Sequence, residues 1–197
     1  MRHSVGSLAV LAVLAVLALA ALPAQTQSKS AAPEPATGKA PSHSVARPDA
    51  ALEQLDSLLG NWSCTGTITG PKGAKDRITA RATFRKELDG FWRSLNYQVP
   101  KSEASPLHAS AVGHLGHCSA QSFTLVLIGG RGNYFVEHSA GWEGNNLVFL
   151  GEVKSPTGVA KSRDTFTKDG DKRFTHTVEL QEGEAWTRIT DERCTRQ

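Results

Sequence analysis

His176 is the side chain of this sequence best placed for chemistry inside a folded domain. It lies in an alternating segment, 173–180, in which Phe174, Val178 and Leu180 fall on the same side as the histidine. Because successive side chains of a strand point to opposite faces, the imidazole is predicted to face the interior. A neutral imidazole in an apolar cavity is suited to ligating haem iron. The alternative interpretation is a core histidine hydrogen-bonded to a neighbour.

A second group of potential ligands is the H-x-x-H-C sequence formed by His114, His117 and Cys118. All three residue types bind zinc. Side chains three positions apart on a strand point to opposite faces, however, so a site would require a turn, and no fourth ligand is evident. We therefore assign no metal site and interpret the cluster as an ordinary polar turn.

The sequence carries no catalytic motif. It lacks a G-x-S-x-G nucleophile elbow. The glycine-rich segment 129–132 is followed by no lysine and opens no helix, so it predicts a hairpin turn rather than a phosphate loop. Glu137, Glu152 and Asp164 could supply a carboxylate pair for acid–base catalysis. The direction in which each side chain points, however, depends on strand register. We therefore name no catalytic residue.

Alternating segments fill most of the chain after residue 60. Ile78, Ala80, Ala82 and Phe84 alternate with polar residues across 77–87, which predicts a strand with one buried and one solvated face. Trp62, Cys64, Gly66 and Ile68 form a similar stripe. Further strands are predicted at 91–99, 108–115, 122–129, 133–139, 146–153, 160–168, 173–180 and 185–194.

Turn signals separate these segments. Asp89-Gly90 and Asp169-Gly170 are favoured hairpin pairs because both residue types tolerate positive φ. Short connections force antiparallel neighbours, and a long antiparallel meander usually closes on itself to remove its edges. The fold class is therefore all-β, a single antiparallel up-and-down β-barrel of about ten strands. A β-sandwich is the alternative.

A short helix is predicted before the first strand. Leu52, Leu55, Leu58 and Leu59 recur at helical spacing, and Gly60 ends the pattern.

The first fifty residues are predicted to lie outside the barrel. The apolar run 8–22 is too short to span a bilayer and is followed by small residues, which is typical of a cleavable signal peptide over 1–24. An uncleaved anchor is the alternative. Residues 25–50 are rich in Ala, Pro and Ser and predict a flexible linker. The folded domain then comprises 51–197, exported to the periplasm or beyond.

The charge balance excludes one class of partner. A formal net charge of +3 over 197 residues is too mild for the concentrated basic patch of a nucleic-acid-binding protein. After signal cleavage we expect no membrane partner, and the sequence does not fix the oligomeric state.

Three cysteines in an exported chain permit one disulfide. In an up-and-down barrel the first and last strands pair antiparallel along a seam, and Cys64 and Cys194 lie near the start of one and the end of the other. We therefore predict a Cys64–Cys194 disulfide, with Cys118 left over. The alternative is three separate thiols.

Gly60-Asn61-Trp62 resembles the G-x-W at the first strand of lipocalins and related calycin barrels, where the tryptophan packs across the closed end. Together with segments 58–64, 139–144 and 174–177 and the terminal Cys194, it resembles the family of exported bacterial proteins called domain of unknown function 1579. The resemblance covers residues 52–197. It implies a calycin-like barrel of about ten strands and no particular reaction.

The function predicted from these features is binding of a small apolar molecule inside an exported barrel, since barrels of this size have room for one. One alternative is a ligand-free envelope protein acting through its surface. Another is a haem-binding barrel that uses His176, as nitrobindin-like barrels of similar shape use a histidine near the C-terminus. A third is a minor enzymatic activity around His176. The candidate cavity-lining residues are Trp62, Phe84, Trp92, Trp142, Phe174, His176 and Trp186.

Overall fold

The computed structural model describes residues 46–70, 73–101, 108–117 and 122–197. A 3₁₀-helix over Ala50–Leu58 precedes eleven strands, and a single 3₁₀ turn over Leu88–Gly90 joins the second strand to the third. The strands are β1 (Gly60–Thr69), β2 (Lys75–Glu87), β3 (Trp92–Val99), β4 (Ala109–His117), β5 (Phe123–Gly129), β6 (Tyr134–Ser139), β7 (Trp142–Glu143), β8 (Asn146–Ser155), β9 (Gly158–Lys168), β10 (Arg173–Glu182) and β11 (Ala185–Arg196).

The strands form one closed antiparallel barrel. Each of β1 to β5 pairs with the strand that follows it, β6 pairs with β8, and β8 to β11 pair in order until β11 pairs with β1. Ten strands make up the wall, while the two-residue β7 pairs only with the start of β8. The predicted all-β barrel is confirmed, and the sandwich alternative is excluded because the sheet closes on itself.

The predicted signal peptide, 1–24, lies outside the described residues, as does nearly all of the predicted linker, 25–50. Within the part of the chain that is described, no helix has the length and apolar character needed to cross a membrane.

Period-two patterning fixes which side chains enter the barrel. On β2, Ile78, Ala80, Ala82 and Phe84 are buried, and the residues between them are exposed or half-buried. A strand buried on one face stabilises the barrel by removing apolar surface from water, at about 25 cal/mol per Å².

The helix covers one end of the barrel. Leu52, Leu55 and Leu58 are all buried, and their spacing of three matches the three residues per turn of a 3₁₀-helix. Leu59 belongs instead to the link into β1. Asp49 caps the helix by accepting a 2.8 Å hydrogen bond from the amide of Ala51.

Trp62 and Arg196 fasten the C-terminus of this helix. The Trp62 indole donates a 2.7 Å hydrogen bond to the Leu58 carbonyl. The Arg196 guanidinium lies 4.3 Å from the Trp62 ring centroid and donates to the carbonyls of Ser57 and Leu59. Carbonyls that a helix end leaves without partners are thereby satisfied.

Two inward glycines permit close approach between neighbouring strands of the wall. A Cβ on Gly66 would lie 2.0 Å from the Asp191 carbonyl oxygen, and one on Gly151 would lie 2.0 Å from that of Val136. Glycine is therefore required at both positions. Each faces a buried glutamate on the next strand: Gly66 pairs with Glu192, and Gly151 pairs with Glu137.

The structure contains the Cys64–Cys194 disulfide. The two residues are direct partners in the β1–β11 register, so the bridge crosses the seam as predicted. Cys118 lies outside the described residues.

Candidate ligand-binding site

The two halves of the barrel interior differ. The half next to the helix is filled by a cluster of buried side chains that includes Trp62, Phe84, Phe166 and Phe174. The other half holds a cavity of about 670 Å³ that reaches the β5–β6 and β8–β9 turns. Sites for small molecules are commonly 300–1,000 Å³.

Most of the cavity wall is apolar. It is built from inward side chains of β3, β5, β6, β8 and β10, whose alternation leaves their polar neighbours outside. The principal members are Leu95, Leu125, Leu127, Phe135, Val153 and Val178.

Charged groups lie where the cavity meets the filled half. His176 and Asp164 line the cavity, and the imidazole Nε2 is 2.5 Å from Asp164 Oδ1. The other ring nitrogen, Nδ1, is 3.9 Å from Oε2 of Glu192. The Tyr97 hydroxyl donates a hydrogen bond to Oε1 of the same glutamate.

Strand register explains this grouping. His176 on β10 lies directly opposite Glu192 on β11 and opposite Phe166 on β9. The imidazole stacks on the Phe166 ring, with centroids 4.6 Å apart and planes 22° from parallel. Asp164, two residues before Phe166, is the diagonal neighbour within reach of Nε2.

A third carboxyl group lies behind Asp164. Glu137 on β6 is fully buried, and the inward Gly151 between it and Ser162 leaves room for its side chain. Within the described part of the chain, both carboxyl oxygens of Glu137, the Ser162 hydroxyl and Oδ2 of Asp164 are buried without a hydrogen-bond partner. Buried polar atoms of this kind cost free energy. We call Glu137, Asp164, His176 and Glu192 the acidic floor.

Burial and neighbouring charges shift the pKa values of groups in and beside the acidic floor. Burial alone would lower the pKa of His176, but the hydrogen bond to Asp164 and the negative charges of Asp164 and Glu192 outweigh it and raise the pKa to about 10. Burial, followed by the charge of Asp164, raises the pKa of Glu137 to about 9. Burial and the charge of Glu192 raise the pKa of Tyr97 above its usual range. At neutral pH the imidazole is therefore a cation, while Glu137 and Tyr97 are neutral.

Of the seven candidate lining residues, His176 lies in the cavity wall. Phe84 packs in the filled half, with its ring centroid 6.4 Å from that of Phe166. Trp62 and Phe174 pack edge to face beside the helix and border a separate cavity of about 190 Å³.

The remaining three tryptophans lie away from the large cavity. Trp142 donates a 2.9 Å hydrogen bond to the Gln54 carbonyl, so it lies at the end of the barrel that the helix covers. Trp92 packs over Gly116, where a Cβ would be 2.6 Å from the indole ring. Trp186 lies beneath the Arg163 guanidinium, 4.5 Å from the ring centroid.

Sequence reasoning named His176, Asp164 and Glu137 but missed Glu192 and Tyr97. The alternation of side chains along the last strand would have predicted an inward-facing Glu192. It lies two residues before Cys194, which the predicted disulfide already placed inside the barrel. Of the three carboxylates considered for acid–base work, Glu152 lies exposed on the outer face.

The two histidines of the H-x-x-H-C sequence do not converge. His117 Nδ1 is 2.9 Å from Asp49, whereas the His114 side chain is about half exposed and lies beside Glu87. They lie on opposite faces of β4, as the spacing of three requires.

The barrel is similar to the crystal structure of Rv2717c from M. tuberculosis, with a TM-score of 0.62 and 19% sequence identity over 76% of this chain and 99% of that one. A redesigned β-barrel is matched at a TM-score of 0.37 and 14% identity, over 77% of this chain and 99% of that one. No protein-family model matches the chain, and no curated protein matches it at a significant level. The similarity to Rv2717c establishes the fold only.

Proposed function

We propose that the protein is an exported binding protein that holds a small, mostly apolar molecule inside the barrel. The observation that carries the proposal is the cavity of about 670 Å³, apolar along its wall and polar only at its floor and rim. A few polar groups in an otherwise apolar concavity are typical of sites that orient a ligand. A barrel serving only as a structural element would be expected to fill both halves.

Export is part of the same proposal. Disulfides persist in oxidising compartments and are rare in the cytosol, so the Cys64–Cys194 bridge supports the signal peptide predicted from residues 1–24. Membership of the domain of unknown function 1579 family remains a prediction.

Haem is a poor fit to these residues. Ligation needs a ring nitrogen of neutral imidazole facing open space. Here Nε2 of His176 is engaged by Asp164, Nδ1 faces Glu192, and the raised pKa keeps the ring protonated. The same contacts leave His176 no free nitrogen to act as a general base, although Asp164 is the carboxylate partner that an acid–base site would need.

Native mass spectrometry of protein purified from a periplasm tests the proposal directly. We expect a mass consistent with cleavage near residue 24, the two-hydrogen deficit of one disulfide, and additional mass that leaves on denaturation. The full-length mass in a cytoplasmic fraction would contradict export.

Adjacent residues on β5 provide a matched pair for testing the cavity. Leu127 lines it, while Ile128 is exposed on the outer face. We expect Leu127→Trp to weaken binding of a neutral naphthylamine dye by at least about tenfold, which is 1.4 kcal/mol, because the indole occupies ligand volume. Ile128→Trp should bind as the wild type does. Equal affinities for the two variants would show that the dye binds elsewhere.

A further inference from the structure

The acidic floor is short of positive charge. Its three carboxyl groups face one basic side chain, His176, and within the described residues none of them has a lysine or arginine nitrogen within ion-pair distance. With Glu137 protonated, two carboxylates still face one imidazolium. A net negative charge remains in a wall of low dielectric, where interactions between charges are strong.

The floor also has fewer hydrogen-bond donors than acceptor oxygens. Asp164 is 2% exposed and lines the cavity, and its Oδ2 has no hydrogen-bond partner in the described part of the chain. Behind it, the neutral carboxyl of Glu137 has one O–H to share with the Asp164 carboxylate, and the floor still has more acceptor oxygens than donors. A ligand group that brings N–H donors together with positive charge satisfies both deficits.

The rest of the cavity agrees with a cationic end on an apolar body. Tyr97 and Phe166 supply aromatic rings next to the floor, and such rings attract ammonium groups. Arg131, the basic residue of the lining outside the floor, lies at the rim and donates a 3.0 Å hydrogen bond to the His108 carbonyl. A carboxylate at the floor would face the His176 imidazolium, but it would add to the net negative charge of the two floor carboxylates, which is disfavoured.

We propose that the ligand carries an ammonium group, which Asp164 and the acidic floor bind, with its apolar part along the barrel wall. This inference rests on the proposed function and specifies its ligand class. It also gives the buried carboxyl groups a role, since groups of this type are expensive to bury without partners.

A chain-length-matched series separates the polar end from the apolar body. Decylamine, decanol and decanoate would be titrated at neutral pH against the mature protein by displacement of the neutral naphthylamine dye. Hydrogen bonds to charged groups contribute more than neutral ones, so decylamine should bind at least about tenfold more tightly than decanol, with decanoate the weakest. Equal affinities for decylamine and decanol would overturn the ammonium assignment while leaving the binding function intact. Failure of the dye and all three probes would overturn both.

Variants locate the preference within the barrel. Asp164→Asn should reduce the preference for decylamine over decanol to less than about threefold with little change for decanol, because only the charge at the floor changes. Glu192→Gln, which removes the other negative charge of the floor and retains the side-chain shape, provides a second test should the first variant not fold, and a smaller reduction is expected because Glu192 does not line the cavity. Glu152→Gln, on the exposed face of β8, is the control and should keep the full preference. An undiminished preference in both floor variants would overturn the assignment.

Discussion

Glu137 and His176 each hold a proton more tightly in the folded barrel than in the unfolded chain. The pKa of Glu137 is raised from 4.5 to about 9, first by burial and then by the charge of Asp164. Burial opposes protonation of His176, but its carboxylate partners raise the pKa from 6.5 to about 10. Stability falls with pH wherever the folded state binds more protons. Both contributions are therefore complete below the unfolded values and are lost as the pH rises towards the folded ones.

We predict that the free energy of unfolding decreases from pH 5 to pH 8. The carboxyl groups whose pKa is lowered, Asp49 and Asp56, titrate below 3.8 and do not oppose this trend. Glu137→Gln keeps a neutral group at the buried site and should flatten the decrease, with a gain over wild type of about 1–3 kcal/mol at pH 8 and little at pH 5. Urea unfolding at the two pH values measures this. Stability that rises with pH, or parallel profiles for the two proteins, would contradict the assignment.

Only part of the site could be predicted from residues alone. The alternation around His176 placed its imidazole inside the barrel, since period two needs no knowledge of neighbouring strands. Its partners Asp164 and Glu192 lie on β9 and β11, and which residues stand beside His176 depends on register across two hairpins. Trp62 and Trp142 were among the aromatic residues predicted to line the cavity, yet both bond to helix carbonyls at the other end of the barrel.

At the scale of the element, the N-terminal helix depends on one buried arginine. Arg93 on β3 is 3% exposed and bonds to Asp56 and to the Leu52 carbonyl of the helix, as well as to the carbonyl of Gly90. Lys86 lies on the other oxygen of the same carboxylate, 2.6 Å away, but is about half exposed. Arg93 and Lys86 share Asp56 as their partner but differ in burial. Comparing their substitutions therefore shows how much burial adds to the contribution of such a pair.

We predict that Arg93→Ala destabilises the protein by about 2–4 kcal/mol, because it leaves helix and turn carbonyls without donors and removes a buried ion pair. Lys86→Ala should cost less than about 1 kcal/mol, as exposed pairs do. Chemical denaturation of both variants measures the difference. Equal losses would mean that Arg93 does not anchor the helix.

The elements themselves were more predictable than their contacts. Every barrel strand was predicted within a few residues, because alternation and the Asp-Gly turns are local signals. The leucine spacing of the helix fits a 3₁₀ period at Leu52, Leu55 and Leu58, and the expectation that Leu59 continues the helix was wrong because the chain turns there into β1. The two-residue β7 was not predicted, since a pairing that short has no periodicity.

At the scale of the whole molecule, the division of the interior separates stability from binding. The filled half holds most of the buried aromatic side chains, the helix and the disulfide. The cavity half is lined mainly by aliphatic residues, together with Tyr97, Phe135 and Phe166, and ends in turns. Cys64 and Cys194 belong to the filled half and do not line the cavity. Their bridge joins residues 130 positions apart, so it closes nearly the entire barrel sequence into one loop.

We predict that Cys64→Ser/Cys194→Ser lowers the free energy of unfolding by about 3–5 kcal/mol, since cross-linking so long a loop removes much of the entropy of the unfolded chain. Reduction of the wild type with dithiothreitol should give a similar loss, and Cys118→Ser, which leaves both seam cysteines in place, should give little. Because the bridge lies outside the cavity, the folded double variant should bind the naphthylamine dye with wild-type affinity. Unchanged stability of the double variant would mean that the β1–β11 pairing closes the barrel without help from the bridge. Lost dye affinity in a folded variant would mean that the two halves of the interior are coupled.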